Sequence, residues 1–268
     1  MANPRADREP VAPMTEARVT GHFLSVLLAA SFATVAALGM AVPRAAAEPL
    51  EVITGWEGDS HVQGYGFVTL GALIPSGLHL KVPLRASGSF LYYTYDSSGT
   101  SFHIRSPGVS LLTGLRMARS RGSVTLLGGG EIRREQRETG TPAPSSRAVT
   151  NGGFVVQADA DLALARRWQA MALGNYAWAA KYTYGRGAMR YQASNLGWQG
   201  PRSLFLGVEG VRQGNDESDA FQSGGFVECS FVRQHTSLAL HGGYKESWSL
   251  GGSHRRGGYL GLNVYRAF

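Results

Sequence analysis

Over much of the chain, apolar and polar residues alternate one by one. The clearest run is His235 to Leu250, with Leu238, Leu240, Tyr244 and Trp248 on one face and Ser237, His241, Lys245, Ser247 and Ser249 on the other. In a second, Phe154, Val156, Ala158, Ala160, Leu162 and Leu164 alternate with Val155, Gln157, Asp159, Asp161 and Ala163. A third sets Val124, Leu126, Gly128, Gly130 and Ile132 against Thr125, Leu127, Gly129, Glu131 and Arg133. A period of two is the signature of a strand with unlike faces. No helical period follows Glu48. Charges stand at mid-strand on the polar face. In a soluble sandwich that face meets bulk water; in a membrane barrel it meets the lumen. A soluble periplasmic barrel of lipocalin type is the rival, and it predicts a polar outer face, which these apolar faces argue against.

The alternation predicts an all-β, up-and-down antiparallel transmembrane β-barrel of about 12 strands, within the range such barrels span. The predicted strands are 50–58, 62–74, 78–96, 100–118, 122–135, 149–165, 167–183, 186–197, 201–214, 218–233, 235–250 and 254–268. Gly88 and Pro107 mark expected bulges, and Gly128-Gly129-Gly130 permits bending and tight packing. Barrels of this kind begin and end in the periplasm, with short turns there and longer loops outside. The connections sort that way. One set is short: Pro75-Ser76-Gly77, Arg119 to Gly122, Arg166-Arg167, Gln199-Gly200 and Arg233-Gln234. The other holds Arg134 to Val149, rich in charge, Pro and Ser, and Gly214 to Ser218.

The N-terminal region differs. Arg18 precedes an apolar stretch, Phe23 to Val42, followed by Ala45-Ala46-Ala47. A charged region, an apolar core and small residues at a cleavage point make a signal peptide. The expected division is residues 1–47 as a cleaved signal peptide with an extended polar start, and 48–268 as the mature barrel. A retained membrane anchor and a true start at Met14 are the rival readings.

Composition agrees with the barrel. Charged residues are 17% of the 268, below the roughly 25% of soluble domains. Mean hydropathy is −0.13, too polar for a helical membrane protein. The net charge of +7 comes from dispersed arginines, not one basic face, so nucleic acid is not an expected partner. The single cysteine, Cys229, shares a phase with Val227 and Phe231 and reads as an apolar residue on the lipid side. No metal-ligand spacing, phosphate loop or dinucleotide fingerprint is present, and no cofactor is expected.

Candidate functional residues fall into two sets. Glu131, Arg133, Asp159, Asp161, Arg190, Glu209 and Lys245 are candidate lumen charges, expected to pair with one another. Tyr93, Tyr95, Trp178 and Tyr182 are candidate rings for stacking on sugar faces. The competing reading places the clusters Tyr92-Tyr93-Tyr95 and Tyr176 to Tyr184 in interfacial girdles. Tyr92 and Tyr93 are adjacent, so one of them must face inward. No catalytic residue is assigned. The one nucleophile pattern, His235-Thr236-Ser237 with Glu228 or Glu246, resembles the H-x-S element of outer-membrane lipid-modifying enzymes. It falls at the periplasmic edge of the predicted barrel. Phe268, with Val264, Leu262 and Leu260 in its phase, resembles the terminal signal read by the barrel-assembly machinery.

Several segments together resemble one family. They are Val52 to Ser60 with Tyr65-Gly66, Tyr92 to Asp96, Pro107-Gly108-Val109, Gly200-Pro201, Gly207-Val208-Glu209, Gly214-Asn215-Asp216 and Gly257 to Leu262. This pattern is similar to the cellulose biosynthesis protein BcsS family of alphaproteobacteria. The resemblance implies a non-enzymatic outer-membrane accessory of cellulose production, in export or anchoring of the polymer. The implied partners are outer-membrane lipid, cellulose and the cellulose synthase complex. A generic small porin or structural barrel, and a lipid-modifying enzyme, remain as alternatives.

Overall fold

A computed structural model describes residues 50–268 apart from 62, 77–79, 98–99, 140–145, 197–201 and 250–251. The signal-peptide region and the Pro/Ser-rich run Thr141 to Ser145 lie outside the described residues, as do Gly77 of the turn expected at Pro75-Ser76-Gly77 and the whole of the turn expected at Gln199-Gly200. Twelve antiparallel strands close into one barrel in sequence order. They are β1 (Leu50–Asp59), β2 (Gly64–Pro75), β3 (Leu80–Ser97), β4 (Thr100–Arg119), β5 (Gly122–Thr139), β6 (Ser146–Ala165), β7 (Trp168–Ala177), β8 (Tyr182–Leu196), β9 (Arg202–Gly214), β10 (Ser218–Phe231), β11 (Thr236–Ser249) and β12 (His254–Ala267). β1 and β12 join along Glu51↔Ala267 to Asp59↔Tyr259, so no strand edge is left open.

The alternation fixes which side faces what. Outward positions carry Leu111, Leu126, Ile132, Phe154, Val208 and Leu240. Phe154 is 70% and Val208 64% exposed, a state that only a lipid solvent makes favourable. Aromatic residues collect at both ends of this wall. Trp168 packs on Tyr191 near one rim, and Tyr176 meets Trp178 edge-on near the other. Inward positions carry the charges. Cys229 lies on the outward phase of β10, partly covered.

Four expectations change. First, Gly88 and Pro107 form no bulge: Gly88↔Val109 and Phe90↔Pro107 pair in unbroken register. The irregularities fall at Ala163/Ala165 and Gln192/Ser194 instead. Second, strands replace much of the expected loop Arg134 to Val149. β5 runs to Thr139 and β6 starts at Ser146, with Glu138 paired to Ser146. Charged strand ends are solvated beyond the bilayer, so polarity does not stop the ladder there. Third, β7 ends at Ala177 and β8 begins at Tyr182, so the turn comes earlier than expected. Lys181 closes it at φ 48, its N–H donating to the Trp178 carbonyl. Fourth, and as a consequence, the candidate rings Trp178 and Tyr182 do not share a face. Even positions face out on β7 and in on β8. Tyr176 and Trp178 therefore look outward, while Tyr182 and Tyr184 line the lumen.

Gly129 has the tight role expected of it. A Cβ there would collide with the Leu111 carbonyl oxygen.

Candidate functional site

The inward phases of the twelve strands enclose a chamber of about 520 Å³. Its charges come in pairs. Arg85 Nη1 of β3 reaches Asp159 Oδ2 of β6 at 2.6 Å, and Arg133 Nη2 meets Glu131 Oε1 at 2.7 Å on β5. Arg186 Nη2 of β8 meets Glu209 Oε2 of β9 at 2.6 Å, and Arg190 Nη1 of β8 meets Glu228 Oε2 of β10 at 2.6 Å. Guanidinium–carboxylate pairs satisfy several hydrogen bonds at once, which is what buried charges require. A fifth carboxylate, Glu57, accepts from Gln222 Nε2 at 2.5 Å. Five carboxylates and four guanidiniums thus line the chamber, close to neutrality.

Each pair is braced. Arg133 also donates to the Ser89 hydroxyl and the Ser106 carbonyl, both at 2.8 Å. Glu209 accepts from the Tyr259 hydroxyl at 2.9 Å and lies 3.1 Å from His241 Nδ1. Phe226 stacks on that imidazole with centroids 5.3 Å apart. Arg190 lies over the Phe205 ring at 4.6 Å and donates to Gln169 at 2.7 Å. Arg85 Nε lies 3.4 Å from Glu51 without forming a hydrogen bond, and Glu131 Oε2 has no partner.

The outer mouth is crossed by a latch. The connection from β9 to β10, Asn215 to Glu217, stands across the ring from β3, six steps by way of β9 and five by way of β10. It nevertheless touches β3. The Tyr93 and Tyr95 hydroxyls donate to the two Glu217 carboxylate oxygens at 3.1 and 3.2 Å. Arg137 of β5 pairs with the same carboxylate and lies over the Tyr95 ring. Asn215 Nδ2 donates to the Tyr93 hydroxyl at 3.3 Å. Its Oδ1 accepts the backbone N–H groups of Glu217 and Ser218, each at 2.9 Å, which fixes the shape of the loop. Between latch and chamber, Lys245 Nζ meets Asp59 Oδ2 at 2.9 Å. On the rim, the Asp216 carboxylate accepts from Lys181 Nζ and holds that ammonium above its ordinary pKa range.

Of the candidate lumen charges, Glu131, Arg133, Asp159, Arg190 and Glu209 line the chamber. Lys245 sits higher, in the narrow recess under the mouth. Asp161 lies at the margin, 49% exposed and 3.9 Å from Arg190. Among the candidate rings, Tyr182 faces the chamber and donates to Gln213 at 2.6 Å. Tyr93 and Tyr95 face inward but belong to the latch. Trp178 lies on the outer turn, half exposed, away from the lumen. The His-x-Ser pattern does not assemble. Among the described residues no hydrogen bond joins His235 to Ser237. Glu228 is held by Arg190, while Glu246 bonds His254 and Arg256 at the far end of β11.

Sequence reasoning missed Arg85, Arg186, Tyr65 and Tyr184. Strand phase was the available signal for Arg85, which shares its face with Ser87 and Ser89. Nothing local signalled the Glu217 latch, whose partners lie 80 to 124 positions away along the chain.

The model of the cellulose biosynthesis protein BcsS family matches residues 56–268, nearly all of the barrel. The chain belongs to the BcsS family. No curated protein matches it. Among solved structures, the BcsS-family barrel is similar to the translocator domain of the autotransporter NalP from Neisseria meningitidis. Identity there is 13%, with 94% of this chain and 99% of that one covered and a TM-score of 0.48. It is also similar to the β domain of the Bordetella autotransporter BrkA, at 10% identity, 83% and 99% coverage and TM-score 0.48. A third is the COG4313 outer-membrane channel from Pseudomonas putida F1, at 11% identity, 85% and 97% coverage and TM-score 0.47. Its family, together with the closed ring of twelve strands and their apolar outer wall, makes the chain an outer-membrane β-barrel linked to cellulose biosynthesis.

Proposed function

We propose that this BcsS-family barrel is a non-enzymatic accessory that holds cellulose at the cell surface rather than passing it through an open lumen. One observation carries the reading. The outer mouth is bridged by Glu217, bound from the opposite wall by Tyr93, Tyr95 and Arg137. Below it, the Arg85–Asp159 pair reaches through the lumen between strands three steps apart. A polymer threading the barrel would have to displace both. On this reading residues 1–47 direct export and are removed, residues 48–268 form the mature barrel, and the strand ending in Phe268 is read by the barrel-assembly machinery. The synthase complex delivers the polymer.

Deleting the gene in a cellulose-producing host tests this. The expected result is near-normal total cellulose with a larger share released into the medium. Cellulose trapped in the periplasm would instead indicate a conduit. One feature favours that second reading: the latch is made by side chains, so it can open without unpairing a strand.

A further inference from the structure

We propose that the chamber is a binding site for a neutral saccharide segment, gripped between Tyr65 and Tyr184. The inference rests on the anchoring role above for its biological setting, but its evidence is separate. Tyr65 on β2 and Tyr184 on β8 stand six steps apart on the twelve-strand ring, on opposite walls of one chamber. Neither hydroxyl has a hydrogen-bond partner among the described residues. Asn175 is the register partner of Tyr184 across β7 and β8, lines the same chamber, and likewise leaves its amide unused. All three groups border the open space of the chamber, where a guest can reach them.

The chemistry of that guest follows from the wall. Its four guanidiniums are each committed to a carboxylate, so an anion finds no free cation and a cation little free negative charge. A neutral ligand suits it. Tyrosine rings offer flat apolar faces with a polar edge. A pyranose ring offers the complement: axial C–H groups on its faces and hydroxyls around its edge. Adjacent amide and phenol groups then serve the hydroxyls as donors and acceptors. At about 520 Å³, the chamber lies within the range of small-ligand sites and takes a few sugar units, not a fibril.

The test is binding of cellotetraose to the purified, folded barrel by saturation-transfer NMR and calorimetry, with tetragalacturonate as the anionic counterpart. Cellotetraose is expected to bind, and tetragalacturonate about tenfold or more weaker, the cost of desolvating charges that find no partner. Tyr184→Ala and Asn175→Ala should each weaken cellotetraose about five- to tenfold, and Tyr244→Ala on the outer wall should leave it unchanged. Heat-dependent gel mobility shows which variants fold; should Tyr184→Ala fail to, Asn175→Ala carries the test. Absence of cellotetraose binding overturns the proposal. So does equal binding of tetragalacturonate, or a folded Tyr184 or Asn175 variant that binds as the parent does. If the site binds and deletion leaves cellulose retention unchanged, the site stands and the anchoring role falls.

Discussion

Replacing Glu217 by alanine should unlatch the outer mouth. The carboxylate accepts two phenol hydrogen bonds, at 3.1 and 3.2 Å, and pairs with Arg137. Hydrogen bonds of that length count for about 1 kcal/mol each. The ion pair is worth less, about 0.5–1 kcal/mol, because Arg137 is 37% and Glu217 28% exposed and water screens them. The Asn215–Tyr93 contact remains, at 3.3 Å. Glu217→Ala therefore removes about 2–3 kcal/mol from the closed state, which shifts the open-to-closed ratio roughly 30- to 150-fold. Single-barrel recordings in planar bilayers read this directly as open probability. Glu217→Gln keeps an acceptor for a tyrosine but loses the charge pair, so it should fall between parent and alanine. A folded Glu217→Ala barrel with the parent's conductance would refute the latch.

Three further experiments probe other parts of the barrel. Arg85→Met strands Asp159 and Glu51 in the lumen and should cost about 3 kcal/mol in urea unfolding, while adding Asp159→Leu should recover part of that. Leu240→Arg on the lipid wall should cost about 2–4 kcal/mol near mid-membrane, whereas Ala239→Ser, one position earlier and facing the lumen, should stay within about 1 kcal/mol. A Cβ at Gly243 would collide with the Ser223 carbonyl and press on Tyr259, the donor to Glu209, so Gly243→Ala should lower unfolding stability by about 1–3 kcal/mol.

The barrel was legible because one local rule, alternation, decides which residues face lipid. Leu238, Leu240, Tyr244 and Trp248 stand outward as their phase requires, and Glu131 and Asp159 inward. The same rule misplaced the turn between β7 and β8. Tyr176, Trp178, Tyr182 and Tyr184 hold one parity through a tight hairpin that reverses the side each parity faces, and alternation alone does not register such a reversal. Partner choice was not legible either. Phase puts Arg85 and Asp159 in the lumen, but only strand tilt and barrel diameter bring them within 2.6 Å. The latch depends on closure: Glu217 meets Tyr93 and Tyr95 because β9 and β3 are opposite in a ring of twelve, which strand count settles and local sequence does not.

On the proposed reading the barrel holds glucan inside its wall in living cells. Photo-crosslinking in a cellulose-producing host measures that most directly, with a benzophenone side chain replacing Tyr184 in the chamber or Leu240 on the lipid face. Acid hydrolysis of the purified barrel should release glucose from the crosslinked Tyr184 variant and not from the Leu240 variant. No glucose from the Tyr184 position, or equal amounts from both, would contradict it.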